Sequence, residues 1–78
     1  MNTYTVMAHW DGDAKVWWAQ SDDVKGLVAE ADTIEALVDD LTHLVPELLE
    51  LNHQIVAGRN AIKISVIANR IEEVLVTA

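Results

Sequence analysis

The alternation of apolar and polar residues near the start of the chain predicts a β-hairpin. Residues 3–10 alternate with the period of a strand, and residues 14–20 are rich in the aromatic and β-branched residues that favour strands. Between them, residues 11–13 read Asp-Gly-Asp, which is turn composition. A two-residue loop at 12–13 would pair Ala8 with Trp17 and Met7 with Trp18, because the numbers of paired residues then sum to 25.

This pairing divides the hairpin into two faces, because directly opposed residues in an antiparallel pair share a face. One face then holds Tyr4, Val6, Ala8, Trp17 and Ala19. The other holds Thr5, Met7, His9, Val16, Trp18 and Gln20.

A helical pattern dominates the middle of the chain. Apolar residues recur at gaps of three and four, as on one face of an amphipathic helix: Ile34, Leu37, Leu41, Leu44, Leu48, Leu51 and Ile55. Val38, Val45 and Leu49 widen this stripe, which is typical of a helix that lies on a sheet.

The ends of this helix carry their own signals. Asp32 followed by Glu35 fits a capping box, and Thr33 is an alternative cap. Pro46 predicts a kink or break, with helical pieces at residues 33–44 and 46–51.

The remaining segments predict further strands around the helix. Residues 27–31 form a short third strand after a turn in which Gly26 can adopt positive φ. Residues 52–60 form a connection and residues 61–68 alternate as a strand. Residues 71–76 either extend that strand or form another across a turn at 69–70. The predicted class is α+β: one domain over residues 1–78, in ββ(β)αβ order, with a small antiparallel-rich sheet and one Pro-kinked helix on it.

Charge is unevenly distributed along the chain. The net charge is −8, and residues 22–50 contain nine carboxylates but only Lys25 as a basic residue. Such acidity either keeps a small domain soluble or steers a basic partner toward it. Lys and Arg total five, which predicts that the chain binds no nucleic acid directly. The sequence shows no export leader or membrane-length apolar run, so we expect a cytoplasmic protein without membrane contact.

The residue types that carry chemistry are not arranged for catalysis. There is no cysteine, and the three histidines lie on different predicted elements. Neighbouring carboxylates such as Asp39 and Asp40 diverge from a helix, so an acid-cluster Mg²⁺ site is a remote hypothesis. We therefore predict no enzyme activity, no cofactor and no metal. Trp18, on the face without the helix, is either an interface anchor or part of an ordinary solvated sheet.

Two segments carry a resemblance to a known family. WDGDAKVWWAQSDDVKGLVAEADTIEALVDDL and VPELLELN resemble the HicB-like antitoxins, especially the small single-domain subgroup classed as a domain of unknown function. Residues 23–26 match the family's Asp-Leu-Pro-Gly turn, and residues 30–37 match its helix start. Lys25 stands where the family usually has proline. We expect a single domain without the C-terminal DNA-binding domain of longer members.

The resemblance implies a degenerate ribonuclease-H-like fold and a function in binding. Such proteins bind a small basic HicA-type toxin that cleaves mRNA, and they block its active site. The residues expected to contact it are Met7, His9, Trp18, Asp22, Asp23, Asp32, Asp39 and Asp40. The alternative is an orphan structural or regulatory domain without a toxin. In both cases we expect a homodimer, because residues 62–76 leave a strand edge that needs covering.

Overall fold

In the computed structural model, which describes residues 3–55 and 61–77, one α-helix packs on a four-stranded mixed sheet. The elements in chain order are β1 (Thr3–Asp11), β2 (Val16–Gln20), β3 (Ala29–Ala31), α1 (Ile34–Leu51) and β4 (Lys63–Asn69). The sheet order is β3-β2-β1-β4; β1–β2 and β2–β3 are antiparallel, and β4 is parallel to β1. The predicted α+β class and element order are confirmed.

The predicted hairpin register is wrong by two residues. The connection spans residues 12–15, and Lys15, with a left-handed φ of 59°, donates its N–H to the Asp11 carbonyl at 2.8 Å. Asp11 Oδ1 also accepts the amide hydrogens of Asp13 at 3.1 Å and Ala14 at 3.2 Å. These bonds stabilise a longer turn, so Ala8 pairs with Ala19 and His9 pairs with Trp18.

The predicted faces survive this shift, because a displacement of two residues preserves the alternation of side chains. Trp17 lies half-buried on the helix-covered face and packs against the core. Trp18 lies on the opposite face and is 38% exposed.

Helix α1 is continuous from Ile34 to Leu51, with Pro46 inside it, so the predicted division into two pieces is wrong. Val45 and Leu49, on either side of the proline, are both fully buried. Their packing on the sheet offsets the lost amide donor and the crowding that proline causes.

The helix begins after the alternative predicted cap, Thr33, and ends at the predicted residue, Leu51. Thr33 is the N-cap, with extended backbone, and its Oγ1 accepts the Ala36 N–H at 3.1 Å, so the capping box at Asp32 does not form. Leu51 ends the helix and is 73% exposed, although it continues the apolar stripe. Beyond it, Asn52 Nδ2 donates to the Lys25 carbonyl at 3.0 Å and ties the helix end to the β2–β3 connection.

The core lies between α1 and the sheet. Within the described residues it contains only apolar or aromatic buried side chains: Tyr4, Val6, Ala8, Ala19, Val24, Leu27, Leu37, Leu41, Val45 and Leu49. Burial of this layer is the main stabilising contribution, because the domain has no disulfide. No helix within residues 3–55 and 61–77 is long and apolar enough to cross a membrane.

Three connections complete the comparison with the predicted elements. Gly26 has φ of +83°, as predicted for the turn before β3, while β3 itself begins only at Ala29. Of the predicted connection 52–60, residues 56–60 lie outside the described part of the chain. Residues 70–77 have no regular secondary structure, so the strand predicted at 71–76 is absent.

Candidate protein-binding surface

The face of the sheet opposite α1 presents an aromatic pair. His9 and Trp18 are directly opposed on β1 and β2, and their ring centroids lie 4.5 Å apart with an interplanar angle of 31°. Met7 follows on the same face of β1, because strand residues two apart share a face. We name Met7, His9 and Trp18 the outer-face patch.

One nitrogen of the patch lacks a hydrogen-bond partner. In residues 3–55 and 61–77, His9 Nε2 is inaccessible to solvent and makes no hydrogen bond. An unpaired buried polar atom costs free energy, and such atoms are uncommon in folded proteins.

Two carboxylates border the patch at one end. Thr5, Met7, Asp22 and Asp23 together line a shallow hollow where the β2–β3 connection passes the outer face. Both aspartates are exposed. Five of the eight predicted partner-binding residues therefore lie on one side of the molecule: Met7, His9, Trp18, Asp22 and Asp23.

The other three predicted residues lie elsewhere. Asp39 and Asp40 are exposed on α1, which covers the opposite face of the sheet from Trp18. Strands β2 and β3 are antiparallel, so the end of β3 lies beside the start of β2. Asp32, which follows β3, is therefore at one end of this strand pair, and the turn with Asp22 and Asp23, which follows β2, is at the other end. The expectation that all eight residues form one surface is therefore corrected, because the helix carries the second acid pair to a different layer.

Asp23 also has a structural role that the sequence did not reveal. Its Oδ2 accepts the backbone N–H of Thr5 at 2.7 Å. Ser21 Oγ donates to the Thr5 carbonyl at 2.5 Å and accepts the N–H groups of Asp23 and Val24 at 3.1 and 3.2 Å. The turn after β2 is therefore bonded to β1 through Ser21 and Asp23, and the Asp22 carboxylate takes no part in these bonds.

A metal centre has no support in the described residues. Between residues 3 and 55 and between 61 and 77, no three histidine, aspartate or glutamate side chains come together as a possible metal site. The predicted acid pairs lie on separate elements: Asp22 and Asp23 in a turn, Asp39 and Asp40 on the helix.

Comparison with known proteins places the whole described chain in a family. Residues 3–78 match the family model described as a domain of unknown function, DUF1902. This chain belongs to the DUF1902 family. The DUF1902 chain is also similar to a hypothetical protein, TTHA1013, from the extremely thermophilic bacterium Thermus thermophilus, whose crystal structure is known. The two are 44% identical with a TM-score of 0.77, over 92% of this chain and 99% of the other. No curated protein matches the DUF1902 chain.

The two adjacent aspartates of the DUF1902 chain give a first prediction. Asp23→Ala should lower the free energy of unfolding by about 1–3 kcal/mol, because the Thr5 amide loses its charged acceptor. Asp22→Ala, an identical change one residue earlier, should shift it by less than about 0.5 kcal/mol. Urea denaturation of both variants checks this. Equal losses from both would mean that the Asp23–Thr5 bond contributes nothing specific.

Proposed function

We propose that this chain is a HicB-like antitoxin that binds and neutralises a small basic HicA-type toxin which cleaves mRNA. The observation that carries the proposal is the outer-face patch: a half-exposed tryptophan stacked on His9 and bordered by two aspartates. Tryptophan is a frequent anchor of protein interfaces, and carboxylates at the rim suit a basic partner. The resemblance of residues 10–52 to HicB-like antitoxins supplies the kind of partner.

The proposed mechanism is competition for the surface with which the toxin binds RNA. A ribonuclease of this kind attracts phosphate through basic side chains, and the rim carboxylates would offer those side chains an alternative. The outer-face patch would supply the apolar contact that keeps the complex together. In this proposal the antitoxin itself cleaves nothing and needs no cofactor, and it acts in the cytoplasm, where its partner meets mRNA.

The proposal is tested with a partner protein. A small basic toxin encoded beside this chain should bind the purified protein, and its cleavage of RNA should stop at a 1:1 ratio. Continued cleavage with excess chain, and no binding at micromolar concentration, would contradict the proposal. The orphan alternative predicts that outcome.

The position of the charges gives a second prediction. Asp22→Lys should slow association with the toxin several-fold and flatten its dependence on salt, because rim charges act mainly on encounter. Asp39→Lys makes the same change of net charge on the helix layer. Charges are screened beyond about 8 Å at physiological salt, so this variant should associate nearly as fast as the wild type.

Stopped-flow association rates at several salt concentrations separate the two variants. A larger effect of Asp22→Lys supports binding through the outer face. Equal slowing by both substitutions would show that overall charge steers the toxin and that the rim has no special role.

A further inference from the structure

The residues after β4 form an exposed apolar segment, which we name the arm (residues 70–77). Its four large apolar side chains are 75% to 89% exposed: Ile71, Val74, Leu75 and Val76. This is more apolar exposure than scattered surface residues provide, and contiguous exposed apolar area marks interaction sites. The DUF1902 match runs from residue 3 to 78, so the arm is part of the family domain.

The arm projects away from the rest of the molecule. The molecule measures 59 × 21 × 19 Å, with a radius of gyration of 15.0 Å. A compact chain of this length would have a radius of about 11.5 Å. The nine residues of β1 account for roughly 30 Å of the long dimension, and an extended arm adds roughly 26 Å. The dimensions therefore fit an arm that continues the direction of β4.

The root of the arm is held in this direction. Asn69 is still paired with His9 in the sheet, and the Arg70 guanidinium lies 4.2 Å from the centroid of the Trp10 ring. Arg70 Nε also donates to Glu72 Oε1 within the arm. If the arm folded back onto its own β4 through a turn at 69–70, the Asn69 pairing and the Arg70–Trp10 contact would both have to break.

A groove beside β4 has the chemistry to receive such an arm. It lies between α1 and β4, encloses about 330 Å³, and is lined mainly by apolar side chains: Val38, Leu41, Thr42, Pro46, Ile62, Ile64 and Val66. Strand β4 is at the edge of the sheet, and in the described residues no strand lies beyond it. An uncovered strand edge next to an apolar groove is a site for adding a further strand.

We propose that the arm of one copy lies antiparallel along β4 of a second copy and fills the second copy's groove. Side chains two apart on an extended chain share a face, so Val74 and Val76 lie on the same face as Ile64 and Val66. A two-fold axis through Arg70 sets Val74 opposite Val66, and Val76 opposite Ile64. Each copy gives an arm and receives one, as an isologous dimer requires. The β4 edge and the groove of each copy are then covered.

The groove is on the opposite side of the sheet from Trp18, and the dimer does not depend on the toxin proposal. Its test uses two valines of nearly equal exposure, Val76 at 87% and Val28 at 85%. Val76→Asp should raise the dimer dissociation constant at least tenfold, because a charge enters the groove. Val28→Asp, which makes the same change in the β2–β3 connection, should leave the constant unchanged. Sedimentation equilibrium at tens of micromolar measures both.

The possible results of sedimentation each decide the proposal. A dimeric wild type, a dissociated Val76→Asp and a dimeric Val28→Asp support it. A monomeric wild type, a Val76→Asp that dimerises as tightly as the wild type, or equal weakening by both variants overturns it. Circular dichroism verifies that each variant is folded. If either variant is unfolded, disulfide cross-linking tests the dimer instead.

Cross-linking tests the pairing itself, because the chain has no cysteine to interfere. The double variant Val66→Cys with Val74→Cys should form a covalent dimer on mild oxidation, since opposed residues of an antiparallel pair lie within disulfide reach. Val28→Cys with Val74→Cys, the control pair, should remain largely uncross-linked. A covalent monomer from the first pair would show that the arm folds onto its own chain. No cross-link at all would show that Val74 lies opposite Val66 of neither chain. Both results overturn the proposal.

Discussion

Replacing Leu49 with alanine should lower the free energy of unfolding by about 2–5 kcal/mol. Leu49 is fully buried between α1 and the sheet, so its truncation removes buried apolar area and leaves a cavity. Loss on this scale is a large share of the stability of a small domain. It should lower the melting temperature by about 4–8 °C for each kcal/mol.

The matched control is Leu51→Ala in the same helical turn. Leu51 is 73% exposed, so its truncation should change the free energy of unfolding by less than about 0.5 kcal/mol. Chemical denaturation must compare all variants at one protein concentration, because self-association adds to apparent stability. Equal losses of stability from both variants would contradict the burial of Leu49 and the exposure of Leu51 at the C-terminal end of α1.

The faces of the hairpin could be predicted from the sequence, but its register could not. Side-chain alternation fixes which residues share a face, so Trp17 and Trp18 were correctly separated. The register depends on the turn, and the sequence at 12–13 suits a two-residue loop well. The longer turn forms because Asp11 accepts two amide hydrogens and Lys15 adopts positive φ. Nothing in a lysine signals that conformation.

In helix α1, local sequence signals and packing on the sheet also had different effects. Its apolar stripe predicted the element, while Pro46 predicted a break that does not occur. Val45 and Leu49 are buried on both sides of the proline, and that packing outweighs the local penalty. For Leu51 the apolar stripe suggested a buried side chain, but the side chain is exposed. The apolar spacing continues in the sequence after the helix has reached the edge of the core.

The candidate surface was predictable only in part. The outward position of Trp18 follows from alternation, but its stacking on His9 requires the true register. The acidic residues between 22 and 40 are close in sequence and distant in space, because β3 and α1 carry the chain from the outer face to the helix layer. The prediction from the sequence therefore overestimated how many of these acidic residues belong to one surface.

The largest effect on toxin binding is expected from Trp18→Ala. A buried interface tryptophan commonly contributes about 2 kcal/mol or more, which corresponds to roughly thirtyfold faster dissociation. Stability of the free domain should fall by only about 1 kcal/mol, because Trp18 is partly exposed and its contact with His9 is one aromatic pair.

Trp17→Ala is the matched control on the neighbouring residue. Trp17 packs against the core, and its ring centroid lies 5.5 Å from that of Trp10. Its truncation should therefore lower the free energy of unfolding by about 3 kcal/mol, while the fraction that remains folded dissociates from the toxin at the wild-type rate. Surface plasmon resonance for dissociation and urea denaturation for stability separate the two variants. If folded Trp18→Ala dissociated no faster than the wild type, the toxin would not be held through the outer face.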